Sequence, residues 1–101
     1  MRLGEFIRIQ RENKGLTLKE LALALSVDIP MLSRYERNLR PIKEEHLPIL
    51  ATIFQIEVSK LRKLWVADNV LSVVNKEKNA TDILNIVAER LTEKHEPNYE
   101  S

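Results

Sequence analysis

Cysteine is absent from the 101 residues, which excludes disulfides and thiolate metal sites and suits a reducing compartment. Glycine occurs only twice, at Gly4 and Gly15, too sparsely to build a phosphate-cradling loop. No apolar run approaches bilayer-spanning length, and the N-terminus lacks the apolar core of a secretory signal. A cytoplasmic protein with no membrane association is therefore expected. The two histidines, His46 and His95, are far apart and have no paired ligand spacing, so both are expected at the surface and no metal is expected. Glu44 and Glu45 are adjacent and face different sides of any helix, unlike a positioned carboxylate pair. Asn79-Ala80-Thr81 matches a glycosylation acceptor, but no secretory signal accompanies it. With no nucleophile signature either, neither catalysis nor a cofactor is expected.

Hydrophobic residues make up 44% and charged residues 31%, a balance suited to one globular domain with an extension. The net charge of +1 hides an asymmetry. Residues 1–63 carry twelve Lys and Arg against eight Asp and Glu, whereas residues 64–101 carry four against seven. The basic part suits a polyanion, and the acidic part suits solvent or a protein partner.

Helical periodicity begins at about Arg2 and runs to Lys14, with Leu3, Phe6 and Ile7 on one stripe; Gly15 ends it. Thr17-Leu18-Lys19-Glu20 reads as a capping box opening a helix over 18–25, with Leu21, Ala22 and Leu25 inward. After the turn Ser26-Val27-Asp28, a short helix is expected with Asp28 as its cap and Pro30 tolerated in its first turn. Leu32 and Tyr35 share one face, with Ser33, Arg34 and Arg37 around the other. Asn38 is suited to the left-handed conformation that ends such a helix. Two short helices joined by a three-residue turn, with small Ala22 facing inward, make a helix-turn-helix pattern.

Arg11, Gly15-Leu16-Thr17, Glu20-Leu21-Ala22, Leu32 through Arg37, and Pro41 sit where the Cro and phage-repressor class has its characteristic residues. The sequence resembles that class, also called the xenobiotic-response-element-like (XRE) family, over roughly residues 3–65. More narrowly, Asp28 to Arg40 followed by a helical segment from Leu64-Trp65 looks like small bacterial regulators associated with restriction-modification and DNA methyltransferase systems. The resemblance implies a dimeric, sequence-specific regulator of transcription that binds double-stranded DNA. It aligns Ile29, Pro30, Met31 and Arg34 with base-reading positions, and it pairs Arg11 with Glu36. Arg34 suits guanine, with an ordinary solvated charge as the alternative, while Ile29 and Met31 suit thymine methyls or, alternatively, an exposed patch for a protein partner or partial core. Two unconnected surface charges are the alternative for Arg11 and Glu36.

Thr17, Lys19, Ser33, Arg37, Arg40 and Lys43 are candidate phosphate contacts, with simple solubilising charge as the alternative. The sequence departs from the family pattern at Leu18, often Gln there, and at Ser26 and Asn38, where glycine is usual.

Lys43-Glu44-Glu45 suits the start of a fourth helix, with Leu47, Leu50, Ala51, Ile53 and Phe54 as core and Pro48 either early in it or kinking it. A fifth helix from about Val58 and a last helix over about 81–94 are too apolar for the small core alone. Leu64, Trp65, Leu71, Ile83, Val87 and Leu91 are candidates for a two-fold interface, and packing back as extra core is the alternative. The expected architecture is all-α: a five-helix repressor-type domain over 1–63, a helical extension over 64–95 and a polar tail over 96–101. An antitoxin-like protein-interaction module is the competing function.

Overall fold

The computed structural model describes residues 1–94, and these form six α-helices and no strand. They are α1 (Leu3–Asn13), α2 (Leu18–Leu25), α3 (Ile29–Glu36), α4 (His46–Phe54), α5 (Val58–Val74) and α6 (Ala80–Lys94). This is the all-α architecture expected from the helical periodicities. The tail expected over 96–101 lies outside the described residues, as does His95.

Local chemistry sets the helix ends. At α2, Thr17 Oγ1 accepts from the Glu20 amide at 3.0 Å, and the Thr17 amide donates to Glu20 Oε1 at 2.8 Å. The bond from the Thr17 amide holds the Glu20 carboxyl below its ordinary range. At α3, Asp28 Oδ1 accepts from the Met31 amide at 2.7 Å, and Pro30 occupies the first turn, where no intrahelical partner is lost. Four turns close with a left-handed residue, namely Gly15, Ser26, Asn38 and Gln55. In each case the following amide reaches back five residues to a helix carbonyl, at 2.8–3.1 Å.

Only one of these four is glycine, so the others hold a conformation that costs an ordinary side chain about 1–2 kcal/mol. Ser26→Gly is accordingly expected to stabilise the protein by about 1 kcal/mol, read as a higher urea midpoint. An unchanged midpoint would show that the Ser26 backbone is not under that cost.

The chain forms two compact units, Met1–Asn69 and a second beginning at Val70. In the first, Leu3 and Ile7 of α1, Leu21 and Leu25 of α2, Leu32 and Tyr35 of α3, and Leu47, Leu50 and Phe54 of α4 make one buried cluster. Leu61 of α5 completes it at zero exposure. Helix α1 crosses the end of α3 so closely that a side chain at Gly4 has no room: a Cβ there would overlap the Tyr35 carbonyl oxygen and lie 2.5 Å from Asn38 Oδ1. That Oδ1 instead accepts from the Gly4 amide at 3.1 Å, so Asn38 both ends α3 and fastens α1.

Two side chains of α5 extend the first unit past residue 63. Asp68 Oδ2 accepts from the Leu3 amide at 3.1 Å, supplying an acceptor for an orphan amide at the start of α1. The Trp65 indole N–H donates to the Ile42 carbonyl at 2.6 Å, and Leu64 and Trp65 are both half-buried against the cluster. In the second unit Val74 is buried and Ile83 half-buried, whereas Leu71, Val87 and Leu91 are exposed. No described helix is long and apolar enough to cross a membrane.

Two local expectations need correction. His46, expected at the surface, is buried, because as the first residue of α4 it turns its ring onto Tyr35, with the centroids 5.9 Å apart. Lys43-Glu44-Glu45 precedes α4 rather than filling its first turn. Glu45 makes no capping bond through its side chain, and Glu44 instead pairs with Arg62 at 2.7 Å.

Candidate nucleic-acid interface

Helix α3 has two chemically distinct sides. Leu32, Tyr35 and Glu36 are buried, and Ile29, Arg34 and Arg37 are exposed, with Met31 and Ser33 half-buried between them. The Asp28 cap and the left-handed Asn38 limit the helix to eight residues.

The buried side is fixed by an ionic clamp. Arg11 Nε donates to Glu36 Oε2 at 2.7 Å and Nη2 to Glu36 Oε1 at 3.1 Å, while Nη1 donates to the Leu16 carbonyl at 2.8 Å. One guanidinium thus joins α1, α3 and the turn before α2. The side chains of Arg11 and Glu36 are 11% and 5% exposed, so each desolvated charge depends on the other. The bond to Glu36 raises the Arg11 pKa above its ordinary value, against the opposing effect of burial.

Tyr35 and His46 form a second tie behind α3, with the phenol oxygen 3.5 Å from Nδ1. Burial pushes the Tyr35 phenol up from its ordinary value. Both ties hold α3 from behind and leave its front uncovered.

Thr17 and Lys19 at the start of α2, and Arg40 and Lys43 on the segment between α3 and α4, are exposed as well. Lys19, Arg34, Arg40 and Lys43 form no ion pair with any described residue, so their charge is not neutralised locally. Arg37 Nε donates to the Ser33 carbonyl at 3.4 Å, a contact that leaves the rest of its guanidinium fork free to bind an anion. Such a set of cations, hydroxyls and helix N-terminal amides is chemically equipped to hold phosphate oxygens. Among the described residues no cluster of His, Asp or Glu suits a metal ion.

Of the six apolar residues considered for an interface, Leu64 and Trp65 spend part of their surface on their own core, Ile83 is half-buried, and Leu71, Val87 and Leu91 are exposed. Gly4, Asp68 and the Trp65 indole were not identified in the sequence as positioning groups. Gly4 offered one usable signal, a glycine inside an otherwise periodic helix, which points to close backbone approach.

Comparison with known proteins agrees with this geometry. No curated protein and no solved structure matches the chain. The family model described as helix-turn-helix matches residues 7–61, more than half of the chain and all of α2 and α3. The chain therefore belongs to the helix-turn-helix family, as a DNA-binding regulatory domain of the XRE type.

Proposed function

We propose that this protein is a sequence-specific transcriptional regulator that inserts α3 into the major groove of double-stranded DNA. In this reading Arg34, Ile29 and Met31 meet base edges, while Thr17, Lys19, Ser33, Arg37, Arg40 and Lys43 hold the phosphate backbone. The observation that carries it is the contrast across α3, clamped from behind by Arg11 and Glu36 yet presenting exposed, locally unneutralised Arg34 in front.

A guanidinium in the groove makes two bonds to guanine, worth about 1–3 kcal/mol of discrimination. Arg34→Ala is expected to lose that amount at one base position and little elsewhere, measured by binding to a panel of single-base variants of a selected duplex. A loss equal at every sequence would assign Arg34 to the phosphates and remove it as a reader.

The protein acts as a homodimer on an operator of two half-sites. Leu71, Ile83, Val87 and Leu91 supply most of the two-fold contact, and Leu64 and Trp65 add what their own core leaves exposed. Two recognition helices about 34 Å apart then address successive turns on one face of the duplex. The dimer is tested by solution mass at low micromolar concentration, where a strict monomer would remove it. In this reading, the regulated operon belongs to a restriction-modification system, on the strength of the narrower resemblance alone, and the protein works in the cytoplasm.

An antitoxin-like interaction module is the second reading. It is favoured by exposed apolar side chains near the same front, Ile29 at 42% and Leu39 at 62% exposure. A salt titration separates the two. Phosphate binding weakens as a power of salt concentration, and an apolar protein contact does not.

A further inference from the structure

We infer that Trp65 and Arg62 of α5 form a clasp that holds the segment between α3 and α4 in the shape required to grip DNA phosphates, making Trp65 a positioning residue for Arg40 and Lys43. The inference rests on the DNA-binding reading above.

Two contacts reach this segment from α5, and a third joins the two α5 side chains that make them. The Trp65 indole N–H donates to the Ile42 carbonyl at 2.6 Å, Arg62 Nη2 lies 2.7 Å from Glu44 Oε2, and the Arg62 guanidinium sits 5.6 Å from the centre of the Trp65 ring. Ile42 stands between Arg40 and Lys43, and its side chain is buried in the core. The segment is therefore held through the carbonyl and side chain of Ile42, with the two exposed cations on either side.

Fixing the backbone during folding removes an ordering cost from the binding step, and the gain falls on the groups the backbone carries. An indole suits the task because it combines ring packing with a donor, whereas phenylalanine keeps only the packing. Arg62 is exposed and its pairing with Glu44 is a surface bridge, so most of the effect belongs to Trp65. Both residues lie beyond the family-matched residues 7–61, so the clasp is added by the continuation of α5.

The test compares wild-type and Trp65→Phe full-length protein for binding to a selected duplex across a salt series. The slope of log affinity against log salt is expected to become shallower by about 0.9 for each phosphate contact released. Relative preference among single-base variants of the duplex should stay unchanged, since the base-reading face is untouched. An unaltered slope in a folded variant overturns the clasp and leaves the DNA reading standing. Wild-type protein showing no salt-dependent binding to the duplex pool would instead overturn the DNA reading, and the clasp with it.

A second measurement needs no variant. In the NMR spectrum of free wild-type protein the indole N–H should already be protected from exchange, and it should stay protected on addition of duplex. A freely exchanging indole N–H in the free protein overturns the inference even if Trp65→Phe fails to fold.

Discussion

Arg11→Met is expected to destabilise the protein by about 3–5 kcal/mol and to weaken DNA binding along with it. The size follows from what remains after the change. Methionine fills much of the arginine's volume, but the Glu36 carboxylate stays in a site where it is 5% exposed and loses both of its guanidinium bonds. The Leu16 carbonyl loses its partner as well. A net stability of about 5–15 kcal/mol is usual for a native protein, so a loss of this size approaches the whole at the lower end.

The double variant Arg11→Met, Glu36→Leu separates attraction from stranded charge. If the cost comes mainly from the unpaired carboxylate, the double variant should recover most of the lost stability, since apolar replacement of a buried pair is often close to neutral. Urea unfolding and duplex binding measured on the same preparations decide the matter. Unchanged values for the single variant would reject the clamp.

Gly4→Ala provides the second large effect, and its sign is informative. At an unobstructed position inside a helix, the exchange would stabilise by about 1 kcal/mol through helix propensity. Here the added methyl meets the Tyr35 carbonyl oxygen and Asn38 Oδ1, and the former is main chain at the end of α3. Relief requires α1 to move off α3, which strains the buried Leu3 and Ile7 contacts and lengthens the Gly4 to Asn38 bond. A net destabilisation of about 2–4 kcal/mol is expected. A thermal melt should show it as a fall of roughly ten degrees or more. A variant that melts higher than the parent would mean that the two helices do not approach so closely.

What residue spacing makes legible is local, whereas the long-range pair of Arg11 with Glu36 follows from the family resemblance and is present in the structure. Thr17 with Glu20, Asp28 before Pro30, and Asn38 after Arg37 all act within a few residues of themselves, and the structure shows each in the capping geometry their types require. Helix periodicity also separated the buried Leu32 and Tyr35 from the exposed Arg34 and Arg37. The groups that escaped notice act over long separations: Asp68 reaches Leu3, Asn38 reaches Gly4, and Trp65 reaches Ile42. Composition and spacing identify no partner for such pairings, although a glycine inside the periodic α1 marks a close backbone approach at Gly4. The burial of His46 is equally non-local, because it depends on Tyr35 arriving from another helix. For α5, apolar content alone did not distinguish Leu64 and Trp65, partly turned to their own core, from Leu71, which is exposed.

The carboxylate of Asp68 at the start of α1 bears on how this reader could be transplanted. The recognisable family segment ends at residue 61, yet the first helix takes an acceptor from a side chain beyond that limit. A chimera joined at the family boundary would carry the motif and leave part of its scaffold behind. A graft that preserves the working piece must include the chain through Asn69, so the heritable signature is shorter than the physical object it marks.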